Sequence, residues 1–277
     1  DSSGLPPEKL PADVDVVFTT PSHQCPTATT MPLDRRQALL KRASDNDFVI
    51  VEDDYEFEMS FLKAPSPALK SLDQEGRVIY IGSFSKSLFP GLRLGYLVGS
   101  KHFIREARAL RSTVLRHPPG HIQRTAAYFL SLGHYDALIR RMANAFHERR
   151  QAMEVAFQQN GLTVAGQGAF GGSSFWMRAS EGVDTKFVAA RLLEKGVLIE
   201  PGRAFFLTSS RWRPSYQCLL EPLKPSQRIG GAGNDGAKDQ AVINQAMHLH
   251  LQSLYRRINI THGAARCAFF THHMPRF

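Results

Sequence analysis

Residues 78–95, VIYIGSFSKSLFPGLRLG, constrain the fold more than any other stretch of this chain. The run opens as an apolar strand, enters a serine-rich turn that carries Lys86, crosses a short glycine-containing loop and starts a second strand. A lysine just past the end of a buried strand is costly unless a partner or a task holds it there. Upstream, FVIVEDDYEFE at 48–58 has the same layout. Phe48 to Val51 form the short apolar run that a buried parallel strand requires, and two carboxylates and a tyrosine follow where that strand ends. Alternating strand and helix builds a parallel or mixed sheet with helical crossovers, and ligands of such open sheets sit at the carboxyl ends of the strands. The expected fold class is α/β.

The polar residues at the two strand ends make one chemical set. Lys86 would form an imine with an aldehyde, while Ser83, Ser85 and Arg93 would hold a phosphate. Asp53, placed 33 positions before Lys86, would keep a pyridine nitrogen protonated, and Tyr55 would donate near the ring's 3-hydroxyl. That combination points to pyridoxal 5'-phosphate (PLP). The plain alternatives are a surface-loop lysine, a carboxylate that caps the next turn or holds magnesium with Asp54, a half-buried tyrosine, turn-forming serines and a surface ion pair. Glu52 and Asp54 fit structural roles. His23, Gln24, His117, His121 and His134 have no metal-ligand spacing and read as hydrogen-bonded structural residues. Arg116 either reaches a substrate or partner subunit or simply ends a helix.

Composition narrows the setting. With 277 residues, 43% of them apolar, the chain can bury a sizeable core. No apolar run reaches the length of about 18 that a membrane span needs, and DSSGLPPEKLP lacks the basic and apolar regions of a signal peptide. Cys25, Cys218 and Cys267 show neither metal-ligand spacing nor an even count, which points to a reducing, cytoplasmic compartment. The net charge is +9, but 209–277 holds nine Lys/Arg against three Asp/Glu, so the part with motifs is close to balanced.

Strands are expected at Val14–Thr19, Phe48–Glu52, Arg77–Gly82, Leu92–Val98, Thr163–Ala165 and Ser173–Met177. Helices are expected at Leu33–Ser44, His102–Arg116, Ile122–Leu132, Tyr135–Gln159 and Thr185–Lys195. The long helix carries Leu138, Met142, Ala145, Phe146, Met153 and Phe157 largely on one face. This divides the chain into a partial large domain (1–134), a linking helix with a small α+β C-terminal domain (135–208) and a basic tail (209–277).

TPSHQCPTATTMPLDRRQALL (20–40), VIVEDDYEFE (49–58), YIGSFSKSLFPGLRLGYLVG (80–99), LRHPPGHIQRTAAYFLSLGHYDALIRRM (115–142) and PGRAFF (201–206) together resemble the class I/II aminotransferases of PLP fold type I. They are closest to the aminotransferase domain of MocR-type regulators, in which that domain follows a GntR-type winged-helix segment. The resemblance implies a PLP-dependent transferase-like fold with Lys86, Asp53 and Tyr55 as catalytic residues, which together with Ser83, Ser85 and Arg93 bind the cofactor. It implies transfer of an amino group between an amino acid and a 2-oxo acid. The alternatives are a PLP-sensing effector domain or an inactive truncated remnant. A homodimer is expected of the intact parent, and DNA contact only through a segment absent from this chain. Where many relatives read NPTG, this chain reads CPTA, with Cys25 in place of the asparagine and Ala28 in place of the glycine. The chain is expected to be an incomplete fold, lacking the N-terminal part of the large domain. Relatives also continue past PGRAFF into an LRLGFS-like run whose arginine pairs with the substrate carboxylate; here a frameshift soon after Phe206 would explain its loss, the breakers and the basic tail. GAFGGSSFWM (168–177) is a candidate pocket lining.

Overall fold

A computed structural model describes residues 1–166, 168–206 and 215–219. The chain divides into two compact units, one comprising Asp1–Arg150 with Gly166–Ser173, the other Gln151–Ala165 with the chain from Ser174.

The first unit is built on a four-stranded sheet of β1 (Val16–Thr19), β2 (Val49–Asp54), β3 (Val78–Ser83) and β4 (Gly95–Val98), in that spatial order. The first three strands run parallel and β4 returns antiparallel. Helix α1 (Leu33–Asp45) makes the crossover from β1 to β2. It turns Arg36, Leu39 and Ala43 inward, at the three- and four-residue intervals of one helical face. Leu39 and Ala43 join Val17, Met31, Phe48, Ile50, Leu69 and Val78 in one buried apolar cluster, with Leu5, Leu10, Val14 and Leu40 packed on its margin. A short helix, α2 (Leu69–Leu72), precedes β3.

Arg36 is wholly buried and organises the loops below the sheet's end. Its Nε donates to the Met31 carbonyl, one terminal nitrogen to that of Pro67 and the other to that of Pro21. Glu52, equally buried, lies 4.0 Å from the guanidinium. Its two carboxylate oxygens accept the amide N–H groups of Leu69 and Lys70, which caps the start of α2. Burial pushes Glu52 above the usual carboxylate range, and these backbone donors and Arg36 oppose that shift. Side chains alternate along β2, so Glu52 and Asp54 are buried while Asp53 is half-exposed on the opposite face.

The β3–β4 pair needs glycine at two crossing points. A Cβ on Gly82 would fall 2.1 Å from the Tyr96 ring, and one on Gly95 would fall 2.8 Å from the Gly82 carbonyl oxygen. After β4 come α3 (Lys101–Val114), α4 (Gly120–Ser131) and α5 (His134–Gln159). In the first unit α5 buries Phe146 and Arg150. Arg116, just past α3, is exposed with a left-handed φ of 61°.

The second unit carries an antiparallel sheet in the order β5 (Thr163–Val164), β6 (Ser174–Arg178), β8 (Ser215–Leu219), β7 (Ile199–Pro201). Helix α6 (Thr185–Leu193) is capped by the Asp184 carboxylate and buries Thr185, Val188 and Leu192. Phe157 of α5 meets Phe175 of β6 edge to face at 5.0 Å, and Trp176 meets Phe205 likewise at 5.6 Å. Apart from β8, the stretch 209–277, where the basic tail is expected, lies outside the described residues, as does 207–214, where the expected frameshift would begin.

Candidate active site

Because β1, β2 and β3 are parallel neighbours, the loops that follow them emerge side by side. Asp53 stands opposite Ile81 and Asp54 opposite Gly82, so the end of β2 lies against the end of β3. Asp53 is therefore the last half-exposed residue of β2, with Tyr55 just beyond it. Ser83 ends β3, and Ser85 and Lys86 lie in the turn that follows. Arg93 closes that loop in the left-handed region, φ 49°, where the Phe84 amide donates to the Leu94 carbonyl at 3.0 Å.

Each side chain has a distinct environment. Burial alone raises the Asp53 carboxyl above its ordinary range, and among the described residues no hydrogen-bond donor or cation faces it. Tyr55 is held in its protonated form, first by burial and then by the charge of Glu56. Its hydroxyl donates to the His23 carbonyl at 3.3 Å, a long bond for O–H···O, and also has the Cys25 side chain as a hydrogen-bond partner. Lys86 Nζ lies 3.9 Å from Glu56 Oε1, with about a third of its side chain exposed (34%) and so reachable by a small molecule. Ser83 Oγ accepts the Ser85 amide at 3.1 Å, which leaves its hydroxyl proton to donate elsewhere. Arg93 is exposed and, among the described residues, makes no hydrogen bond or ion pair.

PLP fits this donor set. A desolvated carboxylate with no cation against it matches a ring nitrogen that arrives carrying a proton. A phenol, a serine hydroxyl, an exposed guanidinium and an accessible amine are the group types that its ring hydroxyl, phosphate and aldehyde call for.

Two contributors, Glu56 and Tyr135, carry no role in the sequence analysis. Glu56 is buried beside Lys86 and accepts both the amide N–H of Ser173, at 3.2 Å, and its hydroxyl. Tyr135 donates to Glu58 and lies 2.9 Å from the Ser87 hydroxyl below the lysine turn. His23, buried and kept neutral chiefly by burial, bonds Ser60 through Nε2 at 3.2 Å. Of the candidate lining 168–177, Gly168–Ser173 lies against the loop after β2, with Leu62 N–H donating to Phe170 O at 3.1 Å and Gly172 N–H to Met59 O at 3.0 Å. Ala28, at the position of the relatives' glycine, adopts a left-handed φ of 56°.

The model of the aminotransferase class I and II family matches residues 8–221, and the chain belongs to that family, whose cofactor is PLP. The chain is 58% identical to the HTH-type transcriptional regulator TauR of Rhodobacter capsulatus over 226 residues, 82% of this chain and 47% of that protein. It is 37% identical to aromatic-amino-acid aminotransferase 1 of Thermococcus litoralis over 202 residues, 72% of this chain and 48% of that protein. Among solved structures, kynurenine aminotransferase of Pyrococcus horikoshii, determined in complex with PMP, superposes with a TM-score of 0.74 at 29% identity, covering 88% of this chain and 57% of its own. The chain thus spans about half the length of the curated relatives it matches. None of the described helices is long and apolar enough to cross a membrane.

Proposed function

We propose that this chain is the PLP-binding effector domain of a MocR-type transcriptional regulator, a cytoplasmic protein whose intact parent is a homodimer. The observation that carries this reading is the 58% identity to the regulator TauR, against 37% to an aminotransferase over a similar stretch. DNA contact belongs to a part of the parent outside this chain.

In this reading PLP supplies an aldehyde and an electron-accepting ring. Lys86 presents its amine to the aldehyde from the turn after β3, and Asp53 offers its carboxylate to the ring nitrogen from the end of β2. Tyr55 turns its proton from the His23 carbonyl to the ring hydroxyl. Ser83, Ser85 and Arg93 hold the phosphate from the loop between β3 and β4, where the guanidinium can pair bidentately.

The second reading, catalytic transfer of an amino group between an amino acid and a 2-oxo acid, is favoured by the complete acid, phenol and amine set at the two strand ends. Lys86 is then also the group that moves the proton at the substrate's α-carbon. One experiment tests both. The purified chain is titrated with PLP, reduced with borohydride and mapped for the labelled lysine. Label on Lys86, lost in Lys86→Ala, is expected; label elsewhere or none defeats both readings. Adding amino acids and then 2-oxo acids separates the two: repeated turnover identifies the enzyme, and a spectral change without turnover the effector domain.

A further inference from the structure

We propose that Glu56 is a positioning residue that couples the charge on Lys86 to the placement of Ser173, and with it the segment Gly168–Ser173. The inference rests on the reading that Lys86 captures PLP.

Glu56 is buried, 5% exposed, yet its carboxylate reaches in two directions. Oε1 lies 3.9 Å from the ammonium of Lys86 and also accepts the Ser173 hydroxyl, while Oε2 accepts the Ser173 amide at 3.2 Å. One carboxylate therefore joins the lysine turn after β3 to a segment more than eighty residues further along the chain. Charges a few ångströms apart interact strongly where one of them is shielded from water, so a change at the ammonium is felt at the carboxylate.

The segment that Glu56 holds has little freedom of its own. Gly171 adopts φ 134°, and a Cβ there would fall 2.2 Å from the Met59 carbonyl oxygen. The Gly171 carbonyl accepts Arg150 at 2.9 Å, and Gly172 N–H and Phe170 O pair with the backbone of Met59 and Leu62. Ser173, its last residue, is the one whose amide and hydroxyl both rest on a titratable side chain.

When Lys86 takes up an aldehyde, its nitrogen forms a C=N bond, the carbonyl oxygen leaves as one water and one proton goes to solvent. The ammonium that faced Glu56 Oε1 is then gone. The buried carboxylate draws harder on the Ser173 donors, since hydrogen bonds to an ionised acceptor strengthen as competing cations are withdrawn. Ser173 is thereby pinned more tightly when the cofactor is in place than when it is absent.

The test is amide hydrogen exchange at Ser173 in the 277-residue chain, with and without PLP, with a borohydride-treated aliquot scoring occupancy of Lys86. Loading is expected to slow exchange by about three- to tenfold, the span of one ordinary net hydrogen bond. Lys86→Met, which removes the charge without a cofactor, should show the slowed rate from the start. In Glu56→Gln the rate at Ser173 should no longer depend on PLP in whatever fraction carries it. If Lys86 is never labelled, the cofactor reading fails. If Lys86 is labelled but Ser173 exchange is unmoved, or slows equally in Glu56→Gln, the coupling is refuted while the cofactor reading stands.

Discussion

Asp54 offers the sharpest test of the electrostatics beneath the site. It is buried at the end of β2, 4% exposed, and accepts the Tyr80 hydroxyl at 3.4 Å. Burial pushes its carboxyl up from 3.8 to about 7, with Glu52 and Glu58 adding to the shift and Arg36 opposing it. Between about pH 4 and 7 the folded chain retains a proton that the unfolded chain has released. Stability from this group is therefore fully present below the unfolded pKa and is lost as pH rises through the folded one. A shift of roughly 3 units at 1.36 kcal/mol each amounts to about 4 kcal/mol. Asp54→Asn keeps the side chain's shape and an acceptor for Tyr80 but cannot ionise. Urea unfolding followed by circular dichroism should give nearly equal stabilities for the two proteins at pH 4. Their difference should grow to as much as about 4 kcal/mol in favour of the variant at pH 8. Titrating groups remote from Asp54 contribute equally to both proteins and cancel in the comparison, so the difference reports Asp54 together with the groups coupled to it. A difference that stays flat from pH 5 to 8, or a variant less stable at pH 8, would refute the argument.

His23 titrates with the opposite effect. Its pKa falls from 6.5 to about 4, chiefly through burial, so stability drops as pH falls from 6.5 to 4 by about 3 kcal/mol; His23→Gln should remove that loss from urea midpoints. Arg36→Met leaves Glu52 buried without its cation and three carbonyls without donors, and should lower stability by about 3–5 kcal/mol in the same assay. Pairing it with Glu52→Gln should recover part of that cost, whereas an additive double mutant would show that the two residues act independently. Gly171→Ala combines a left-handed φ with a Cβ overlapping a backbone oxygen and should cost roughly 2–3 kcal/mol or more, visible as a lower thermal midpoint.

The strands of the first sheet were legible because each is an apolar run stopped by polar residues. Phe48–Glu52 and Arg77–Gly82 became Val49–Asp54 and Val78–Ser83, within two residues at each end. Leu92–Val98 shortened to Gly95–Val98, because Pro90–Leu92 form a tight 3-10 turn and Arg93 adopts a left-handed conformation that no strand continues. The helix Leu69–Leu72 was invisible, being four residues long with its first amides satisfied by Glu52, 17 positions away. At the site, residue type and spacing nominate the acid, phenol and amine, and the pairing of β2 with β3 brings the two strand ends that carry them side by side. Glu56 gave no such signal: its partner Ser173 lies 117 positions distant, and nothing in local periodicity links the two. One acceptor for Tyr55 is a backbone carbonyl, which carries no mark of residue identity; the other partner is the side chain of Cys25.

The alternation at the end of β2 has a consequence for how this protein tolerates change. Neighbouring acids serve opposite faces: even-numbered Glu52 and Asp54 belong to the interior, odd-numbered Asp53 to the more open face. A point substitution at one of them acts on one face at a time. Deleting a single residue between Val49 and Glu52 exchanges the two sets, driving Asp53 inward and swinging the acid that caps α2 outward. Such an indel would disrupt the buried cap and the candidate site together, so drift in this hexapeptide favours replacements that conserve its length.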